Sequence, residues 1–154
     1  MIMIQRIQSI FLFFAILASG LMFLFPILNL VSQTGDEWRL TAKAISRIGD
    51  GEVLFLVLPF TIHLSLATLI PLVVLFLYKV RSLQMRLTLI NMVLTLGLLV
   101  LMGLYGMKGS LQLEGSLTPG FISIMPLISF ILQLLAFRAI RRDDLLIRGL
   151  DRIR

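Results

Sequence analysis

The stretch LTLINMVLTLGLLVLMGLYGM, Leu87 to Met107, runs for 21 residues without a charged side chain. At 1.5 Å of rise per residue, about 20 such residues cross a hydrocarbon core of about 30 Å. The pattern recurs on both sides of it: Ser9 to Val31, Val53 to Tyr78 and roughly Gly120 to Ile140 are apolar runs of similar length. Each predicts a span. Together they predict an all-α integral membrane protein with four transmembrane helices, spans at about 9–31, 53–78, 87–107 and 120–140, and a single membrane domain over residues 1–154.

The composition agrees. Of 154 residues, 58% are hydrophobic and 14% charged, where a soluble domain carries roughly 25% charged residues. The mean hydropathy is +1.02. A water-soluble fold of this size would expose apolar surface far beyond what monomers tolerate, so lipid must cover it. The first run is long for a signal-peptide core and passes Ser19, Gly20 and Pro26 without an A-x-A cleavage pattern, so an uncleaved first span is expected. There is no cysteine, which excludes disulfides, thiolate metal sites, thiol catalysis and lipobox attachment.

The net charge is +6 and the pI about 10.8. In a soluble protein that balance would raise nucleic-acid binding, but the basic residues here lie between apolar runs, and no nucleic-acid partner is expected. Arg6, Lys79, Arg81, Arg86, Arg138, Arg141, Arg142, Arg148, Arg152 and Arg154 fall on one side of the four spans; Arg39, Lys43, Arg47 and Lys108 fall on the other. Cytoplasmic flanks are enriched in Lys and Arg. Both termini and the 79–86 loop are therefore expected in the cytoplasm, with outer loops at about 32–52 and 108–119.

Two readings of the outer loops stay open. Trp38, Leu40, Ala42 and Ala44 alternate, Gly49 to Gly51 mark a turn, and Leu111 and Leu113 alternate in the next loop, which together admit a small β cap. An interfacial loop anchored by Trp38 is the more ordinary outcome. After the fourth span, Leu146, Leu150 and Ile153 recur at helical spacing and Asp144 precedes Arg148 by four, so the last helix is expected to continue through the cytoplasmic tail, 141–154.

Met3-Ile4-Gln5-Arg6-Ile7-Gln8 at the start, the loop residues Lys79, Arg81, Gln84 and Arg86 followed by Asn91, and the tail Leu135-Ala136-Phe137-Arg138-Ala139-Ile140-Arg141-Arg142-Asp143 with Arg148, Asp151 and Arg152 resemble domain of unknown function 4293, a family of small four-span proteins of Bacteroidetes-type bacteria. The resemblance covers nearly the full chain, least in the outer loops. It implies a multi-pass protein of the bacterial inner membrane and carries no activity with it.

Chemistry-bearing residues are few. His63 lies mid-span, and ionisable groups at membrane depth are functional candidates by default; a neutral imidazole bonded to a neighbouring helix is the structural reading. Asn91 and Gln133 are amides inside the third and fourth runs, candidates for a polar path or for interhelical bonding. With one histidine, no cysteine and no paired carboxylate inside the spans, no enzyme, cofactor or metal site is expected. Asp143 and Asp144 read as exposed members of a basic tail.

The basic side, Arg6, Lys79, Arg81, Arg86, Arg138, Arg141, Arg142, Arg148 and Arg152, forms a candidate docking surface for a partner or for lipid. Expected partners are the bilayer with its anionic headgroups and other membrane protein subunits. The expected function is that of an accessory or scaffold subunit of a larger membrane complex. The alternative is a homo-oligomeric transporter of a small solute or ion, with a polar path around His63, Asn91 and Gln133.

Overall fold

A computed structural model describes residues 2–77 and 80–151 of the chain, with side chains described for 7–77 and 80–145. Four long helices, α1 (Ile2–Leu24), α2 (Leu58–Phe76), α3 (Arg81–Gln112) and α4 (Met125–Asp151), carry the four apolar runs, and each is long and apolar enough to cross a membrane. They pack as a ring in which α1 touches α2 and α4, and α3 touches α2 and α4.

The faces of these helices are sorted differently from those of a soluble bundle, with the polar side chains of the spans turned inward. Many of the buried positions recur at three and four residues and hold small or polar side chains, beside buried Leu12, Phe60, Leu64 and Leu98: Gln8, Ala15, Ala18 and Ser19 on α1, Gln84, Thr88, Asn91 and Thr95 on α3, and Ser129, Gln133 and Ala136 on α4. Large apolar side chains such as Phe13, Phe14, Leu69, Val93 and Ile131 point outward. Lipid is as apolar as leucine, so helices associate through close packing and internal hydrogen bonds, and the polar residues turn inward.

Five short strands join the helices at one end: β1 (Leu28–Val31), β2 (Glu37–Leu40), β3 (Ala44–Arg47), β4 (Val53–Leu56) and β5 (Ser116–Pro119). They form one antiparallel sheet in the order β4-β3-β2-β1-β5. Leu28 stands opposite Leu40 and Pro119, and Leu30 opposite Trp38 and Leu117, so one face of β5, β1 and β2 is continuously apolar. That face rests on the projecting end of α3. At 1.5 Å per residue the 32 residues of α3 span about 48 Å, well beyond a core of about 30 Å. Gly106 and Gly109 make the approach possible: a Cβ on Gly106 would meet Leu28 and Leu117, and one on Gly109 would meet Leu30 and Ile45.

The sheet settles the two open readings of the outer loops, and it moves the span limits. The first span ends at Leu24, before Pro26, and the apolar residues 28–31 are strand; the second begins at Leu58, because 53–56 is also strand. The third is longer than expected at both ends, while a short 3₁₀ turn, η1 (Phe121–Ile124), precedes α4. Trp38 is not an interfacial anchor. It lies buried in the sheet's inner face, with the Arg47 guanidinium 5.2 Å from its ring centre, and Arg47 is itself paired with Asp50 and Glu52. Thr61 Oγ1 donates to the Ala42 carbonyl at 2.6 Å and pins the start of α2 to the turn before β3.

Candidate functional site

Two groups of residues merit a functional reading: the polar side chains inside the bundle and the basic side chains at its end away from the sheet.

Inside, side-chain hydrogen bonds join all four helices. Ser19 of α1 and Ser129 of α4 share a hydroxyl contact at 3.1 Å, and Ser129 Oγ donates to the Ala15 carbonyl at 3.2 Å. One turn along α4, Gln133 Nε2 donates to Ser129 Oγ at 3.1 Å and to Thr95 Oγ1 of α3 at 3.0 Å. Thr95 Oγ1 donates in turn to the Asn91 carbonyl at 2.8 Å, and Asn91 Nδ2 reaches the Ala67 carbonyl of α2 at 3.1 Å. Each interhelical bond of this kind is worth about 0.6–2 kcal/mol. A second tie, Gln84 Nε2 to the Val74 carbonyl at 3.2 Å, closes α3 on α2 nearer the basic end.

Of the three intramembrane candidates, the structure brings Asn91 and Gln133 into one network through Thr95 and leaves His63 outside it. The His63 ring lies over Gly97 of α3, where a Cβ would stand 2.8 Å from Nε2. Each of the three candidates keeps one buried atom without a hydrogen-bond partner: His63 Nε2, Asn91 Oδ1 and Gln133 Oε1. Thr95, Ser129 and Ser19 were not singled out as partners from the sequence. Their signal was helical phase, since Ser129 precedes Gln133, and Asn91 precedes Thr95, by one turn.

At the basic end, α4 separates its charges by side. At about 100° per residue, Arg138, Arg141, Arg142 and Leu145 share about a third of the helix circumference, and Asp143 points the opposite way. The first four are exposed and border a hollow of about 430 Å³. None of the three arginines pairs with a carboxylate among the described residues. Asp143, expected to be exposed, is only 4% exposed and faces α3. Its Oδ2 lies 3.1 Å from Arg81 Nε, off the N–H direction, so the contact is an ion pair rather than an aligned hydrogen bond.

Arg81 is thus engaged inside the molecule, whereas Arg86 is exposed on α3. Lys79 and Arg152 lie outside the described residues, as do the side chains of Arg6 and Arg148.

A comparison with curated proteins found no match. Residues 4–153 match the profile of domain of unknown function 4293 (DUF4293), from one end of the chain nearly to the other. The match spans well over half of the chain, and the chain belongs to the DUF4293 family.

Proposed function

We propose that this protein is a non-enzymatic, multi-pass protein of the bacterial inner membrane, with both termini cytoplasmic, that serves as an accessory or scaffold subunit and docks a partner through its basic face. The observation that carries this reading is the one-sided exposure of Arg138, Arg141 and Arg142 around Leu145. One nearby acid that could neutralise them, Asp143, is turned inward onto Arg81. Guanidinium groups held without acid partners among the described residues suit a carboxylate-bearing surface. About 20 residues counted from Phe121 of η1 or from Met125 of α4 bring the chain to Arg141–Leu145, the level where a helix leaves the hydrocarbon. The distribution of Lys and Arg supports the orientation.

The test is gentle extraction of the tagged protein from its native membrane, with the co-purifying proteins identified by mass spectrometry. A reproducible set of larger membrane proteins, lost on combining Arg138→Glu, Arg141→Glu and Arg142→Glu with the fold intact, is the expected result. A homo-oligomer with no other protein attached would overturn the reading.

That second outcome would favour a homo-oligomeric transporter of a small solute or ion, for which the specific support is the trio of unpartnered atoms His63 Nε2, Asn91 Oδ1 and Gln133 Oε1. The subunit reading is preferred because the other ends of both amides are spent on holding helices together.

A further inference from the structure

At the end of the bundle that carries the sheet, a hollow of about 450 Å³ opens between the end of α1 and the start of α4. Leu21, Phe25, Ile122 and Met125 line it with carbon, and Asn29 of β1 supplies an amide. The hollow sits where the apolar spans end, and its rim runs into side chains that face lipid: Leu24 and Phe121 are 75% and 84% exposed. An apolar recess at that depth is continuous with the acyl chains of the adjacent leaflet.

Asn29 also belongs to a polar row on the outward face of the sheet. It stands directly opposite Thr118 on one side and Arg39 on the other, and Arg39 stands opposite Ser46. Directly opposed residues share a face, with Cβ atoms about 5 Å apart. Arg39 has no carboxylate partner among the described residues, and its Nε is buried without an acceptor. Glu37, on the same strand and the same face, does not pair with it. The other arginine of the sheet, Arg47, is held by Asp50 and Glu52 on the inner face.

We infer that this end of the protein binds one anionic phospholipid, with an acyl chain in the hollow between α1 and α4 and the headgroup phosphate on Arg39 beside Asn29. The chain replaces bulk lipid contacts with a shaped apolar wall. The phosphate gives Arg39 the acceptor it lacks, and a guanidinium binds phosphate through paired N–H groups. A single surface arginine does not distinguish lipids. An arginine one cross-strand step from the polar rim of an acyl-sized recess does.

The experiment is native mass spectrometry of the full chain in detergent, titrated with phosphatidylglycerol or phosphatidylcholine. It is run in an Arg138→Gln, Arg141→Gln, Arg142→Gln background so that lipid at the opposite face does not contribute. One phosphatidylglycerol adduct is expected, held about tenfold more tightly than phosphatidylcholine. Arg39→Gln should weaken it about tenfold and Arg39→Lys less, while Leu21→Trp, which fills the hollow, should weaken both lipids. Arg47→Gln should change nothing. Glycerol phosphate, which has the anion but no chain, should not displace the adduct; displacement would reduce the site to a phosphate site and overturn the acyl-chain assignment. Equal binding of both lipids, indifferent to Arg39→Gln and Leu21→Trp in variants that keep their helical circular dichroism and elute as the parent does, would overturn the whole inference.

Discussion

Gln133 of α4 and Thr95 of α3 meet at 3.0 Å in the middle of the bundle, and Thr95 is itself tied to the Asn91 carbonyl. The bond is one link in a chain that passes from α1 through α4 and α3 to α2. Gln133→Leu fills similar volume but leaves Thr95 and Ser129 without this amide. We expect it to lower the stability of the reconstituted protein by about 1–2 kcal/mol. Urea or SDS unfolding followed by circular dichroism measures it, and an unchanged midpoint would mean that the amide contributes no cohesion.

His63 and Gly97 form a second contact between helices, a ring laid over a bare backbone. Adding a methyl group at Gly97 forces the imidazole to move, whereas the same change is harmless once the ring is gone. In a double-mutant cycle, Gly97→Ala should cost about 1 kcal/mol in the parent and close to nothing in a His63→Ala background. Additive effects would show that the two residues are not coupled.

Arg81 and Asp143 make an ion pair in which the carboxylate is almost wholly buried. Removing one member leaves the other without its counter-charge, which costs more than removing both. Arg81→Ala should destabilise the protein by about 3 kcal/mol, and the double change Arg81→Ala with Asp143→Ala by clearly less. Thermal unfolding of the four proteins in one detergent reads the difference. Equal losses in the single and double variants would remove the pair from the account of how α4 is held.

Gly115 lies in the turn between α3 and β5, where a Cβ would run into the Val31 carbonyl oxygen and into Ser32. Because the obstacle is backbone, it cannot swing aside as a side chain can. Gly115→Ala should therefore unpair β5 from β1 while the spans stay folded. Hydrogen–deuterium exchange should speed up at 116–119 and 28–31 and stay constant in α2; protection preserved in β5 would contradict the expectation.

The four helices were legible because a run of 20 apolar residues has few alternatives. Their ends were not, and the reason lies in particular residues. Leu28–Val31 and Val53–Leu56 are as apolar as the spans beside them, and hydropathy does not separate a strand from a helix; Pro26, just past the end of α1, was the available sign. At the other extreme, Lys108 and Ser110 interrupt the apolar run that ends at Met107, yet α3 continues to Gln112 because its last turns pack beneath the sheet.

The candidate site was legible in part. Arg138, Arg141 and Arg142 stand out in any reading of the tail, but the inward turn of Asp143 depends on its phase, three residues after the buried Ile140 and seven after the buried Ala136. A carboxylate among arginines looks solvated until a neighbouring helix supplies Arg81. The polar row on the sheet was hidden for a different reason: Thr118, Asn29, Arg39 and Ser46 come from four strands, and only their register makes them neighbours.

The length of α3 has a structural consequence. Its far turns are wedged under the sheet at Gly106 and Gly109, and its first residue is Arg81, the partner of Asp143. One continuous helix thus carries both the seat of the sheet and the arginine that holds α4, so the sheet and the Arg81–Asp143 pair share a single piece of backbone. The two ends of the protein are therefore built on a common strut rather than on separate elements.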